Sequence, residues 1–146
     1  FRTFASSDLP SIYGADALTT ALRFEARELR SLWFENKGAE GFAAHPLPTA
    51  AQTAPVRGIL VRDFDSDGHL DLLLAGNDYA PEVETIRQDA GIGTLLRGDG
   101  KGNWSVVDHR ESGFFAPGDV RSLAIAGPHI IVARNNARPL LFRWKK

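Results

Sequence analysis

The sequence predicts a mainly β protein of antiparallel strands preceded by one amphipathic α-helix. Three observations predict it. Short β-branched or leucine-rich runs are parted by Gly, Asn, Asp and Pro; these runs recur in the same order at a spacing of about 60 residues; and helical periodicity is confined to one stretch near the N-terminus. At 146 residues and 43% hydrophobic content, the chain is long enough for one modest core.

Residues 1–10 have no periodicity. From Ala15 to Ser31 and just beyond, the apolar residues Leu18, Ala21, Leu22, Ala26, Leu29 and Leu32 fall near the 3.6-residue repeat, which predicts a helix over about 15–31. Gly14 and Asp16 suit its start, and Arg23, Arg27, Glu28 and Arg30 occupy its polar face. Such a stripe packs over the edge or end of a sheet.

Eight strand candidates follow: Leu32–Phe34, Val56–Arg62, Leu70–Ala75, Thr94–Arg97, Ser105–Val107, Val120–Ile125, Ile130–Ala133 and Leu140–Trp144. Asn36–Phe42 and Gly98–Trp104 are both glycine-rich turns that end on an aromatic residue, and both read as hairpin tips. Ala54–Ile59 echoes Pro117–Leu123, Leu72–Asn77 echoes Ile130–Asn135, and Leu140–Phe142 matches the opening runs Leu32–Phe34 and Thr94–Leu96. The chain therefore divides into an N-terminal extension (1–31), a first repeat (32–93), a second repeat (94–139) and the start of a third unit (140–146). The array reads as truncated, and the absence of Met, at position 1 and throughout, suggests a part of a longer protein.

A net charge of −1 gives no basic face for nucleic acid, which requires cations to displace phosphate counterions. There is no Cys, hence neither a disulfide framework nor a thiolate metal site. No apolar run reaches the length of a membrane span.

The specific signal is Asp63-Phe64-Asp65-Ser66-Asp67-Gly68-His69-Leu70-Asp71. Asp63, Asp65, Asp67 and Asp71 stand at loop positions 1, 3, 5 and 9, and Gly68 permits a sharp turn at position 6. The carbonyl of His69 at position 7 adds a neutral oxygen. Hard oxygen ligands in that register suit Ca²⁺, and four carboxylates held so close would repel one another without a cation. An EF-hand needs a bidentate Glu at position 12, where this chain has Leu74 inside an apolar run, so that reading fails. A dockerin-like loop fails on the same ground. The apolar run reads instead as a buried strand, which sets the ion between two strands.

Asp-x-Asp-x-Asp-Gly-x-x-Asp, followed by an apolar strand and Gly76-Asn77, resembles the FG-GAP or VCBS-type repeats of integrin-α-like β-propellers. The turn Gly98-Asp99-Gly100-Lys101-Gly102-Asn103-Trp104 supports the resemblance. Leu32 to Trp144 looks like bacterial FG-GAP proteins associated with ASPIC/UnbV domains, although no such domain is appended. The resemblance implies propeller-type blades of four antiparallel strands per repeat, about two of them here, with a structural calcium and an extracellular, periplasmic or envelope-exposed location. The second repeat departs from the pattern: Ala126-Gly127-Pro128-His129 replaces the acidic loop, so it should bind no calcium. Two blades cannot close a ring, which points to other protein chains or further blades of the same protein as partners.

His45, His69, His109 and His129 show no zinc or iron spacing, no Gly-x-Ser-x-Gly elbow is present, and Gly98–Gly102 lacks the P-loop spacing. The expected function is a non-catalytic, calcium-stabilised module for protein binding, adhesion or assembly. The alternative is a carbohydrate-binding or carbohydrate-active propeller fragment. It would draw on Trp33, Trp104, Trp144, Phe114 and Phe115 and on the long acidic loop Asn77–Gly93, with a glycan as partner.

Overall fold

The computed structural model describes residues 2–144; Phe1, Lys145 and Lys146 lie outside the described residues. The protein is mainly β, with antiparallel sheets and a few short helices. β1 (Leu32–Asn36) and β2 (Phe42–Pro46) form a hairpin. A four-stranded sheet runs in the order β3 (Gly58–Arg62), β4 (Asp71–Ala75), β5 (Thr94–Gly98) and β6 (Trp104–Val107). A three-stranded sheet holds β7 (Val120–Ala126), β8 (His129–Arg134) and β9 (Leu140–Arg143). Among the described residues these sheets do not close into a barrel or ring.

Alternation along β4 explains how the sheets are layered. Leu73 and Ala75 enter one core with Phe114, Val120, Ile130 and Val132, whereas Leu74 enters a second with Leu47, Ala51 and Leu96, flanked by Leu72, Trp33 and Trp104. Successive side chains of a strand point to opposite faces, so the apolar run Leu72–Ala75 marks a strand covered on both sides. The four-stranded sheet is thus the middle layer. It meets the three-stranded sheet closely at Gly58, where an added Cβ would stand 2.7 Å from the Leu123 side chain.

The two sequence repeats do not each fold into one sheet. β4, from the first, pairs with β5, from the second, in the register Leu72↔Leu96 and Leu74↔Thr94. Residues 32–93 and 94–139 therefore each supply strands to two sheets, an offset of two strands from the four-stranded unit that the resemblance implies. The connection across this boundary, residues 76–93, is pinned by Asn77. Fully buried, its side-chain amide donates to the carbonyls of Gly91 (2.9 Å) and Gly118 (2.8 Å) and accepts from Gly91 N–H at 2.8 Å.

Both predicted hairpin tips are present, with Asn36 opposite Phe42 and Gly98 opposite Trp104. β7 and β8 join through Gly127-Pro128, with Ala126 opposite His129. Gly127 has φ 58°, and because Pro fixes its own φ near −65° the turn fits type II′ rather than I′.

The helix expected over 15–31 is corrected. Three short helices are present instead, α1 (Arg2–Ala5), α2 (Leu9–Tyr13) and α3 (Ala15–Thr19). Asp8 caps α2 by accepting from Ser11 N–H at 2.9 Å, and Gly14, at φ 83°, parts α2 from α3. Asp16 lies in the first turn of α3 but makes no cap bond. Beyond Thr20 the stripe residues Leu22 and Leu29 find no surface to cover and are 86% and 87% exposed, and Phe24, outside the stripe, is 92% exposed. Without packing, so short a helix is marginal in water. Arg27 pairs with Glu25 and Arg30 with Glu28, a two-residue spacing that a helix does not bring face to face.

Candidate metal centre

The Asp63–Asp71 segment connects β3 to β4, with Arg62 and Asp71 as the last paired residues of the two strands. Its curl follows from its composition. Ser66 adopts φ 67° and Gly68 φ 90°, and the aspartates hold the turns through backbone N–H groups. Asp63 accepts from Ser66 N–H (2.6 Å) with one oxygen and from Gly68 N–H (3.0 Å) with the other. Asp65 accepts from Asp67 N–H at 3.2 Å, and Asp67 accepts from His69 N–H at 2.8 Å.

Asp63, Asp65 and Asp71 each bring a carboxylate oxygen within 4.8 Å of the others. Asp67 is not part of this group, and the His69 ring stands over Gly100, where an added Cβ would lie 2.5 Å from Nδ1. The burial of the three is graded: Asp65 exposed, Asp63 half-buried, Asp71 buried. Asp71 anchors the set. One of its oxygens accepts from Phe64 N–H (2.8 Å) within the loop, and the other accepts from Gly98 N–H (3.0 Å) at the end of β5. Gly98 permits that approach, since an added Cβ there would lie 2.2 Å from the Leu70 carbonyl.

Sequence reasoning missed two supports. Arg97, one step beyond the Leu72–Leu96 pair on β5, sends Nε to Asp65 Oδ2, while its Nη2 lies 3.5 Å from Glu111 Oε1 on α4 (His109–Ser112). The Arg97 guanidinium is held above its ordinary pKa, first by the hydrogen bond to Asp65. The only signal in the sequence was its place in the Thr94–Arg97 run, which could not be aligned with the loop before the β4–β5 register was known. Trp144 is the second. Its Nε1–H donates to the Phe64 carbonyl at 2.8 Å, its ring meets Phe64 edge-on at 5.6 Å, and Arg62 lies 4.1 Å over its face. The loop is therefore held by its own sheet through Gly98 and by the neighbouring sheet through Trp144.

The arrangement offers hard, anionic oxygen donors. Each carboxylate oxygen retains acceptor capacity after one hydrogen bond, so the backbone bonds that order the loop leave lone pairs for a cation. Among the described residues, the three carboxylates are met by one ion pair, Arg97 to Asp65, and the excess of negative charge suits a divalent ion. The equivalent turn of the second repeat, Ala126–His129, is a two-residue hairpin connection with no carboxylate.

Comparison with known proteins returned no matching family model, no matching curated protein and no matching solved structure.

Proposed function

We propose that this protein is a non-catalytic, calcium-stabilised β module of the FG-GAP type that serves in binding or assembly outside the cytoplasm. The observation that carries the reading is the convergence of Asp63, Asp65 and Asp71 at the junction of two strands. Ca²⁺ is the cation this donor set suits, because carboxylate oxygens converging from a curled loop match its preference for several oxygen ligands. Asp63, Asp65 and Asp71 would hold it, with Asp67 and the His69 carbonyl as the remaining ligands expected from the loop register. Bound there, the ion would neutralise charge and stiffen the β3–β4 connection. Extracellular modules of this kind bind with affinities on the order of 10⁻⁴–10⁻³ M, a range that favours rigidity over sensing.

A role in assembly is supported by apolar side chains left on the surface of strands, notably Phe34 and Phe42 on the β1–β2 hairpin and Ile59 and Val61 on β3. Contiguous exposed apolar strand surface marks sites of association. The carbohydrate alternative has less behind it. In the Asn77–Gly93 loop the one ring, Tyr79, is covered by Arg87 at 3.4 Å, and the outermost apolar side chains are Val83 and Ile86.

Thermal melting in millimolar calcium and in chelator, with mass in solution recorded alongside, tests the proposal. An ion at about 100 times its dissociation constant stabilises by about 2.7 kcal/mol. The melting temperature is expected to rise with calcium in the wild type and to be insensitive to it in Asp65→Ala. Equal melting with and without calcium in the wild type would refute the site, and a strictly monomeric mass at all concentrations would refute self-assembly.

A further inference from the structure

The cation proposed above and the Arg97 guanidinium draw on the same carboxylate. Arg97 Nε bonds Asp65 Oδ2, and a guanidinium cannot relieve the conflict by losing its proton. It can move. Glu111 Oε1 lies 3.5 Å from Arg97 Nη2, on a helix largely exposed to solvent. The backbone of β5 has no such freedom, because Gly98 N–H is committed to buried Asp71. The side chain of Arg97 is therefore an adjustable cation at the cluster, with two carboxylate acceptors within reach, Asp65 and Glu111.

We propose that Arg97 is an intramolecular competitor for the divalent cation at Asp65, and that cation binding transfers its guanidinium to Glu111 on α4. This inference rests on the calcium reading and adds to it a coupling. α4 and Arg97 both line a cavity of about 450 Å³ between the middle and third sheets, walled by Phe64, Leu73, Phe114 and Phe142. Occupation of the loop would tighten the β5–α4 contact in the wall of that cavity, and Arg97 would set the calcium concentration at which this happens.

Titration calorimetry with calcium chloride at low salt, on wild type, Arg97→Gln, Glu111→Gln and the double variant, tests the competition. Removing the competitor is expected to tighten calcium binding about five- to tenfold, within the usual range of coupling between sites. Glu111→Gln is expected to weaken binding, because Arg97 then has no second carboxylate to pair with and only a neutral amide oxygen in its place, and the double variant should bind like Arg97→Gln alone. Arg97→Lys, which keeps the charge and the half-exposed stem, should stay near wild type and guards against a folding artefact. Calcium binding by wild type with no gain in Arg97→Gln would overturn the competition while leaving the calcium reading intact. A Glu111→Gln effect that persists without Arg97 would overturn the transfer. No calcium uptake by wild type or by Arg97→Gln would overturn the calcium reading and this proposal together.

Discussion

Asp71 shows most plainly how one side chain serves both fold and site. Its carboxylate is buried, satisfies Phe64 N–H and Gly98 N–H, and by those bonds ties the loop to β5. Asp71→Asn leaves an amide that can accept only one of the two, so one buried N–H loses a charged partner. The expected cost is about 2–3 kcal/mol in urea unfolding, measured in chelator so that no cation contributes. Asp99 gives the protein a pH dependence. In the β5–β6 turn it accepts from the Asn103 side chain and from the Lys101 and Asn103 backbone, which holds its carboxyl at about 2, below the ordinary 3.8. A folded-state value lower than the unfolded one means the stabilisation is complete above 3.8 and disappears as pH falls toward 2. Asp119 adds in the same direction. Burial pushes its carboxyl up, but hydrogen bonds from Asn135 and Arg121 draw it below the ordinary value. Asp99→Asn should flatten the fall of unfolding free energy across that acidic window, whereas an unchanged slope would show that the turn does not couple to folding.

Strands were legible in the sequence wherever apolar residues and turn formers alternated, because burial on one or both faces imposes the pattern directly. All eight expected strands form, with ends displaced by at most two residues. β2 was visible only through its hairpin tip: Phe42-Ala43-Ala44-His45-Pro46 has little β-branched character and is held by its register with β1. The segment over 15–31 is the opposite case. The periodicity is real, but it organises a chain only when the apolar stripe meets a surface, and here Leu22 and Leu29 of the stripe meet none, nor does the neighbouring Phe24. Replacing all three by Ser is accordingly expected to shift stability by less than about 0.5 kcal/mol per site, read from the melting temperature. A large loss would mean that this segment packs in solution. At the loop, the carboxylate register was legible and the convergence of Asp63, Asp65 and Asp71 follows it. The contributions of Arg97, Gly98 and Trp144 were not, since all three depend on loop partners 27 or more positions away that only sheet pairing and sheet stacking bring together.

At the scale of the whole molecule, three layers of sheet enclose two cores, and the repeat boundary in the sequence falls inside the middle sheet. That offset ties one repeat to the next: the loop of the first is braced by β5 of the second and by the Trp144 that follows β9. A cation at the loop would accordingly stabilise the junction between layers as well as one turn. The most direct measurement is a calcium titration followed by amide NMR shifts along the chain. The account predicts a single saturable event with the largest shifts at Asp63–Asp71 and at Arg97 and Gly98, and none at Ala126–His129. The absence of shifts at Asp63–Asp71, or equal shifts at both turns, would contradict it.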